Sequence, residues 1–336
     1  MRLSNTIGIA TLALATGLVA CNAPGEDASA EAGAESSTAE RLNGMIALHQ
    51  QNRPVFGLYA PRARTGGRGR GGGAAPAGPA KTPTELASET LGFASSDFVF
   101  DGSMERSVDG ALPAFSEFVG AMQAAGANAR SNPLVVKMQE IGSDYDGARE
   151  AIGKQLDAGV STIMFVKVES AEELRQGLAA MRFASNGGTR PDPVGEAPAY
   201  WGVSEAEYRQ KADLWPLNPE GELLNWTIVE SHEGLANVRE IAAVDGIGVL
   251  WPGAGTLRGL FSTTNDAGER VLDSEGWENA IQTVLSACKE FDLACGYPAN
   301  ASDIEMRMEQ GFSVFVMGWG ESGFETVDLG RSLSGR

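Results

Sequence analysis

Eight short apolar runs, each followed by an amphipathic stretch, constrain this chain more than any other feature of it. The runs lie at 54–60, 97–103, 133–139, 162–168, 223–230, 246–252, 294–298 and 313–319. Segments at 84–91, 112–125, 146–158, 171–183, 234–243, 277–292 and 301–310 carry apolar residues at helical spacing, and a further helix is predicted at 39–48. Strands covered on both faces by crossover helices read as near-continuous apolar runs, so this alternation implies a parallel sheet. Ser170-Ala-Glu-Glu and Ser302-Asp303 read as helix starts, with acids in the first turn facing the positive end of the helix dipole. Eight such units predict a (β/α)8 TIM barrel with a leading helix. A doubly wound open sheet is the alternative. It asks for a glycine fingerprint after the first strand, and Leu58-Tyr59-Ala60-Pro61 supplies none.

Two insertions interrupt the alternation. Residues 61–82 follow the first strand and should therefore emerge at the C-terminal mouth of a barrel. They carry Arg62, Arg64, Arg68, Arg70 and Lys81, no acid, and a dense run of Gly and Pro. Such a segment reads as a flexible basic loop, or as a cationic flap that meets an anionic substrate. Residues 184–222 carry Trp201, Tyr208 and Trp215, too aromatic for a floppy linker, and are expected to pack as a lid or an oligomer contact.

The chain opens with Arg2, an uncharged apolar stretch at 6–20 and Leu18-Val19-Ala20-Cys21. The stretch is too short and too rich in small residues for a stable membrane span. It resembles a bacterial lipoprotein signal peptide over 1–20, with cleavage before Cys21 and lipidation of its thiol; secretory cleavage at Ala20 or an uncleaved anchor are the other readings. Residues 21–38 are small, polar and acidic, and read as a disordered tether. Asn22 after Cys21, in place of an Asp, points to the outer membrane, so the expected location is the bacterial cell envelope, lipid-anchored on its periplasmic side. In that oxidising compartment Cys288 and Cys295 either pair or sit as two buried core residues.

Composition removes whole classes of function. With 44 Asp+Glu against 26 Lys+Arg the formal net charge is −18, the wrong sign for a general nucleic-acid binder. Three Cys in 336 residues cannot build a disulfide scaffold, and two histidines, His49 and His232, cannot build a three-His metal site. His49 ends the leading helix and is expected to face solvent.

The order of motifs resembles the HpcH/HpaI aldolase/citrate lyase superfamily over roughly residues 39–325. The resemblance is carried by Glu40-Arg41-Leu42-Asn43 with Arg53-Pro-Val-Phe-Gly57, by Asp97-Phe-Val-Phe-Asp101, and by Gly159-Val-Ser-Thr-Ile-Met-Phe-Val-Lys167-Val-Glu-Ser. It continues through Met181-Arg182-Phe183 with Gly188-Thr-Arg190, Trp226-Thr-Ile-Val-Glu230-Ser, Ile241-Ala-Ala-Val-Asp-Gly246, and Pro252-Gly253-Ala-Gly-Thr-Leu257. It implies a lyase of the aldolase type that breaks a C–C bond in a small oxo- or hydroxy-acid, or an aromatic relative. It also implies a divalent metal, Mg²⁺ or Mn²⁺, beside the developing enolate, and a homo-oligomeric assembly.

Carried over position by position, the resemblance makes Glu230 a metal ligand and places Thr256 where the family has a second, acidic ligand. A hydroxyl there brings no charge to a hard cation. Gly248 likewise stands where an upstream Asp is common. Glu105-Arg106 falls where a Glu-His pair supplies the family's base, with the register open by one residue, and Arg cannot accept a proton at neutral pH. Lys137 stands at the Arg that clamps the substrate carboxylate, and Gly253, Ala254 and Gly255 form the anion-cradling loop. His232, two residues past Glu230, is an acid/base candidate or a helix-start surface residue. Three readings stay open: a metal-assisted lyase with a rebuilt acid/base, a Schiff-base lyase using Lys137 or Lys167, and a non-catalytic lipoprotein that binds a small anion or a partner. For the Schiff-base reading, ion pairing of either lysine with Glu230 or Glu140 is the alternative.

Overall fold

Strand formation follows the apolar runs closely. In the computed structural model, which describes residues 41–63 and 79–336, the strands are β1 (Val55–Tyr59), β2 (Val99–Asp101), β3 (Leu134–Lys137), β4 (Thr162–Phe165), β5 (Leu224–Val229) and β6 (Val249–Pro252). A short pair, β7 (Ser262–Thr264) and β8 (Arg270–Leu272), is followed by β9 (Ala294–Tyr297) and β10 (Val314–Met317). Eight of them close in the order β1-β10-β9-β6-β5-β4-β3-β2, every neighbour parallel, with helices between: a (β/α)8 barrel. The antiparallel β7–β8 hairpin stands apart and was not expected from the sequence; its strands are three residues each and largely exposed. The described residues fall in one unit, Glu40–Arg336. The expected signal peptide, Cys21, the expected tether and most of the 61–82 loop lie outside the described residues.

Each strand contributes alternate side chains to two separate cores, as the period of two demands. Val135, Met164, Leu224, Trp226, Ile228, Val249, Trp251, Val314 and Val316 fill the barrel interior, plugged from the leading helix (Gly44–Gln50) by Met45 and Ile46. The intervening residues, among them Leu134, Val136, Ile163, Phe165, Val229, Leu250 and Phe315, pack outward against the helices. Two inward glycines make room for rings: a Cβ on Gly57 would lie 2.4 Å from Phe98, and one on Gly296 would lie 2.0 Å from the Trp251 indole.

The 184–222 insertion is not a lid. It joins the helix Ala171–Met181 to β5, and a helix-to-strand connection lies at the N-terminal end of a barrel, opposite the mouth. There Tyr200 Oη donates to the Asn132 carbonyl, Trp201 Nε1 to Gly159 and Tyr208 Oη to Leu156. Trp215 stacks on His49, whose Nε2 is shut off from solvent without a partner, and burial pulls the His49 pKa down to about 4. His49 is therefore half-buried rather than facing solvent as expected, with Trp215 of the insertion over its ring. Cys288 and Cys295 form a disulfide that ties the C-terminal end of the helix Ser274–Glu290 to β9.

Asp97, just before β2, closes the barrel seam. It accepts from the Phe56 N–H, from Arg331 Nη1 at 2.9 Å and from both terminal nitrogens of Arg336. Asp97→Ala would leave the nearly buried Arg336 guanidinium without its carboxylate. It is expected to lower unfolding free energy by about 3–5 kcal/mol, read as a shifted denaturant midpoint at unchanged slope.

Candidate functional site

The side chains at the mouth follow from the strand period. Lys137 is two residues past inward-facing Val135, and Glu230 two past inward-facing Ile228, so each is the last inward position of its strand. The register Val229↔Pro252 then sets Glu230 beside Gly253. Together they border a cavity of about 210 Å³ at the C-terminal mouth, lined also by Tyr59, Phe100, Met164, Ile228, Trp251, Pro252, Ala254, Gly255, Thr256, Pro298 and Val316.

Glu230 is the carboxylate in this cavity and is 8% exposed. Its Oε1 accepts the Lys167 backbone N–H at 3.1 Å, and it is hydrogen-bonded to the Thr256 side chain. Burial is the largest influence on it and pushes its pKa up; the Thr256 hydrogen bond and the Lys137 charge act in the opposite direction. Gly253 is required here by space. A Cβ at that position would lie 2.3 Å from Glu230 Cβ and 2.5 Å from its Oε2.

Lys137 Nζ lies 3.3 Å from Glu105 Oε2; the lysine side chain is 18% exposed and the glutamate 47%. Glu105 ends a 3₁₀ turn, Ser103–Glu105, whose middle residue Met104 is fully buried. Gln155 Nε2 donates to the Lys137 carbonyl and so pins the end of β3. Tyr59 sits edge-on against Phe100 at 4.6 Å, and burial raises its hydroxyl pKa while Lys137 opposes the rise.

Glu105 reaches the cavity only through Lys137, and three further expected site residues are not brought to it. Lys167 turns its side chain outward to Glu140, 3.2 Å away, and that partner raises its pKa, the reverse of what a nucleophilic amine needs. What reaches the site is its backbone: at φ 49°, strained for a residue with a side chain, its N–H holds Glu230. Arg106 is exposed and outside the cavity lining. His232 opens the helix His232–Ala236, exposed, with its ring edge on Phe261.

The donors present do not fit the expected Mg²⁺ or Mn²⁺. Hard cations are held by carboxylates, with water and substrate completing the shell. Here one carboxylate lines the cavity, already hydrogen-bonded to Lys167 and Thr256, and the Lys137 ammonium adds positive charge at the same mouth. The other nearby carboxylate, Glu105, is paired with that ammonium. Among the described residues no group of three or more His, Cys, Asp and Glu side chains gathers in ligand geometry. Glu230 and Thr256 both line the cavity, and of the metal-ligand pair expected from the sequence only Glu230 brings a carboxylate.

Residues missed from the sequence are Tyr59, Phe100 and Trp251. All three lie in the apolar runs, but a near-continuous apolar run does not reveal which residues face the barrel interior.

Comparison with known proteins follows this geometry. A family model described as HpcH/HpaI aldolase/citrate lyase matches residues 88–319. The 2-keto-3-deoxy-L-rhamnonate aldolase of Klebsiella pneumoniae is 28% identical over 167 residues, 48% of this chain and 58% of that protein. The hydroxypyruvate/pyruvate aldolase of Delftia acidovorans is 28% identical over 178 residues, 53% and 58% of the two chains. The chain therefore spans less than two thirds of the length of these curated relatives. A crystal structure of an HpcH/HpaI aldolase/citrate lyase family protein from Burkholderia cenocepacia superposes with a TM-score of 0.58 at 20% identity, covering 86% of this chain and 96% of that one, which supports the fold.

Proposed function

The chain belongs to the HpcH/HpaI aldolase/citrate lyase family, and from that premise we propose that it is a lyase that cleaves a small 2-oxo acid at a C–C bond. The single observation that carries this reading is the meeting of Lys137, Glu230 and the 253–256 turn around one cavity at the barrel mouth, where barrel enzymes keep their chemistry. The names of the relatives, a keto-acid aldolase and a hydroxypyruvate/pyruvate aldolase, agree with it.

In this reading Lys137 binds the anionic end of the substrate, held at the mouth by Glu105. The backbone N–H groups of Ala254 and Gly255, in the first turn of their helix, have no acceptor within it and add donors. Glu230 takes the proton from the substrate's 4-hydroxyl. The C3–C4 bond then breaks, releasing an aldehyde, and its electron pair passes into an enolate whose oxygen faces Lys137. Glu230 returns the proton to C3, giving a pyruvate-like acid. A carboxylate whose pKa is raised by burial suits this shuttle near neutral pH. No step is routed through a metal.

The test is pyruvate release from 4-hydroxy-2-oxo acids by the purified chain, with and without chelator and with added Mg²⁺ or Mn²⁺. Release that survives chelation is expected. Loss on chelation and recovery with Mn²⁺ would restore the metal route. Tight binding of 2-oxo acids without release from any donor would make the protein a binding module.

We further propose that lipid on Cys21 carries the enzyme at the cell envelope, a reading supported by the apolar stretch ending in Leu18-Val-Ala-Cys21. Cys21→Ala is expected to move the protein from the membrane fraction to the soluble one.

A further inference from the structure

We infer that the 2-oxo acid taken by this cavity has an apolar, ring-sized body, aryl or branched alkyl, and not a hydroxylated chain. The inference rests on the lyase reading for the reaction, but its evidence is the cavity wall. Polar side chains stand on one side, Lys137, Glu230 and Thr256. Most of the remaining wall is made by Phe100, Met164, Ile228, Trp251, Pro298 and Val316, with the Tyr59 ring and its hydroxyl beside them.

That wall is rigid, so it cannot rearrange to meet hydroxyl groups. The Trp251 indole lies against Gly296 so closely that a Cβ there would fall 2.0 Å from Cε2, and it packs on Trp226 at 5.2 Å. Phe100 is 1% exposed and held edge-on by Tyr59. Tyr59 brings one hydroxyl to this part of the lining, and Trp251 Nε1 is buried without a partner. A chain bearing several hydroxyls would leave most of them unsatisfied against these rings, and each unmet polar group costs affinity. An aryl or alkyl group instead exchanges water for apolar contact over its whole surface.

The same arrangement separates two contributions. The anionic head is read by Lys137, and the body by the wall. Changing the wall should alter the choice between acids, whereas changing Lys137 should weaken all acids alike.

The experiment is equilibrium binding to the purified chain, followed by intrinsic tryptophan fluorescence and checked by calorimetry. The probes are 2-oxo-4-phenylbutanoate, pyruvate and 2-oxo-3-deoxygluconate. The phenyl acid is expected to bind at least about tenfold more tightly than pyruvate, and the hydroxylated acid no more tightly than pyruvate. Val316→Thr, nearly isosteric, is expected to weaken the phenyl acid severalfold more than pyruvate and so to lower the phenyl preference. Lys137→Met should weaken the phenyl acid and pyruvate by similar factors and so keep their ratio. Binding of the hydroxylated acid as tight as that of the phenyl acid or tighter, or a preference unmoved by Val316→Thr, would overturn the inference. Phenyl preference without cleavage of 4-hydroxy-2-oxo-4-phenylbutanoate would sustain the inference and sink the lyase reading. Cleavage of hydroxylated donors in preference to the phenyl one would do the opposite.

Discussion

Lys137→Met is expected to lower kcat/KM for pyruvate release by about 10²–10³-fold, the range seen when a fixed donor to a developing oxyanion is removed. Among the described residues the side chain is the cation lining the cavity, and it stands at the last inward position of β3. The substitution keeps the length of the aliphatic stem and removes the charge. The fold should survive it, because the partner left behind, Glu105, is 47% exposed and can take water in place of the ammonium. An unchanged thermal midpoint with activity lost is therefore the outcome to look for. Lys137→Arg should recover part of the rate, since a guanidinium also binds a carboxylate. Borohydride reduction in the presence of substrate discriminates the mechanism. A covalent adduct on Lys137 would reassign it as a nucleophile forming a Schiff base. No adduct, together with rescue by Arg, fits the electrostatic role, because arginine cannot form that intermediate. Rates of the Met variant equal to those of the wild type would remove Lys137 from the mechanism altogether.

The barrel was legible because its signal is long: eight apolar runs alternating with helices leave little else to build. Lys137 and Glu230 came from the family resemblance, and both stand at the ends of their strands, where the barrel brings them to one cavity. Direction was harder to read. Lys167 is one residue past inward-facing Val166, and its left-handed backbone sends the side chain to Glu140 and the N–H to Glu230. His232 is close to Glu230 in sequence but already lies in the following helix, which carries it away from the cavity. The 184–222 insertion was placeable from connectivity alone, because it follows a helix and precedes a strand; its aromatic content drew attention toward a lid. The half-buried place of His49 depends on Trp215, 166 positions away in the chain, a contact that no local pattern announces. The cavity wall of Phe100, Trp251 and Val316 depends on how glycines at 57 and 296 let large rings tilt inside the barrel.

Glu230→Gln should separate activity from stability in opposite directions. As the proton carrier, Glu230 is expected to contribute about 10²–10⁴-fold, so the amide should leave residual release at that level below wild type. Its effect on stability follows from burial, the dominant influence on this carboxyl, which raises the native pKa above its ordinary value. Between the ordinary value and the raised one, the native state holds a proton that the unfolded chain has released. The difference in bound protons, unfolded minus native, is negative, so wild-type stability falls as pH rises through that window and stays reduced above it. The amide has no such penalty, and its oxygen still accepts from the Lys167 N–H and the Thr256 hydroxyl. Glu230→Gln is therefore expected to melt at a higher temperature than wild type at pH 8, with the gap closing as the pH is taken below the ordinary carboxyl range. The wild-type rate should also fall on the acid side through the raised pKa, and the amide variant should lose that limb of the profile. A variant less stable at pH 8 would mean that the Lys137 charge and the Thr256 hydrogen bond outweigh burial, and that Glu230 is held ionised for structural reasons. The pairing of a lost acid limb with a gained melting temperature is what a buried proton carrier produces and a structural carboxylate does not.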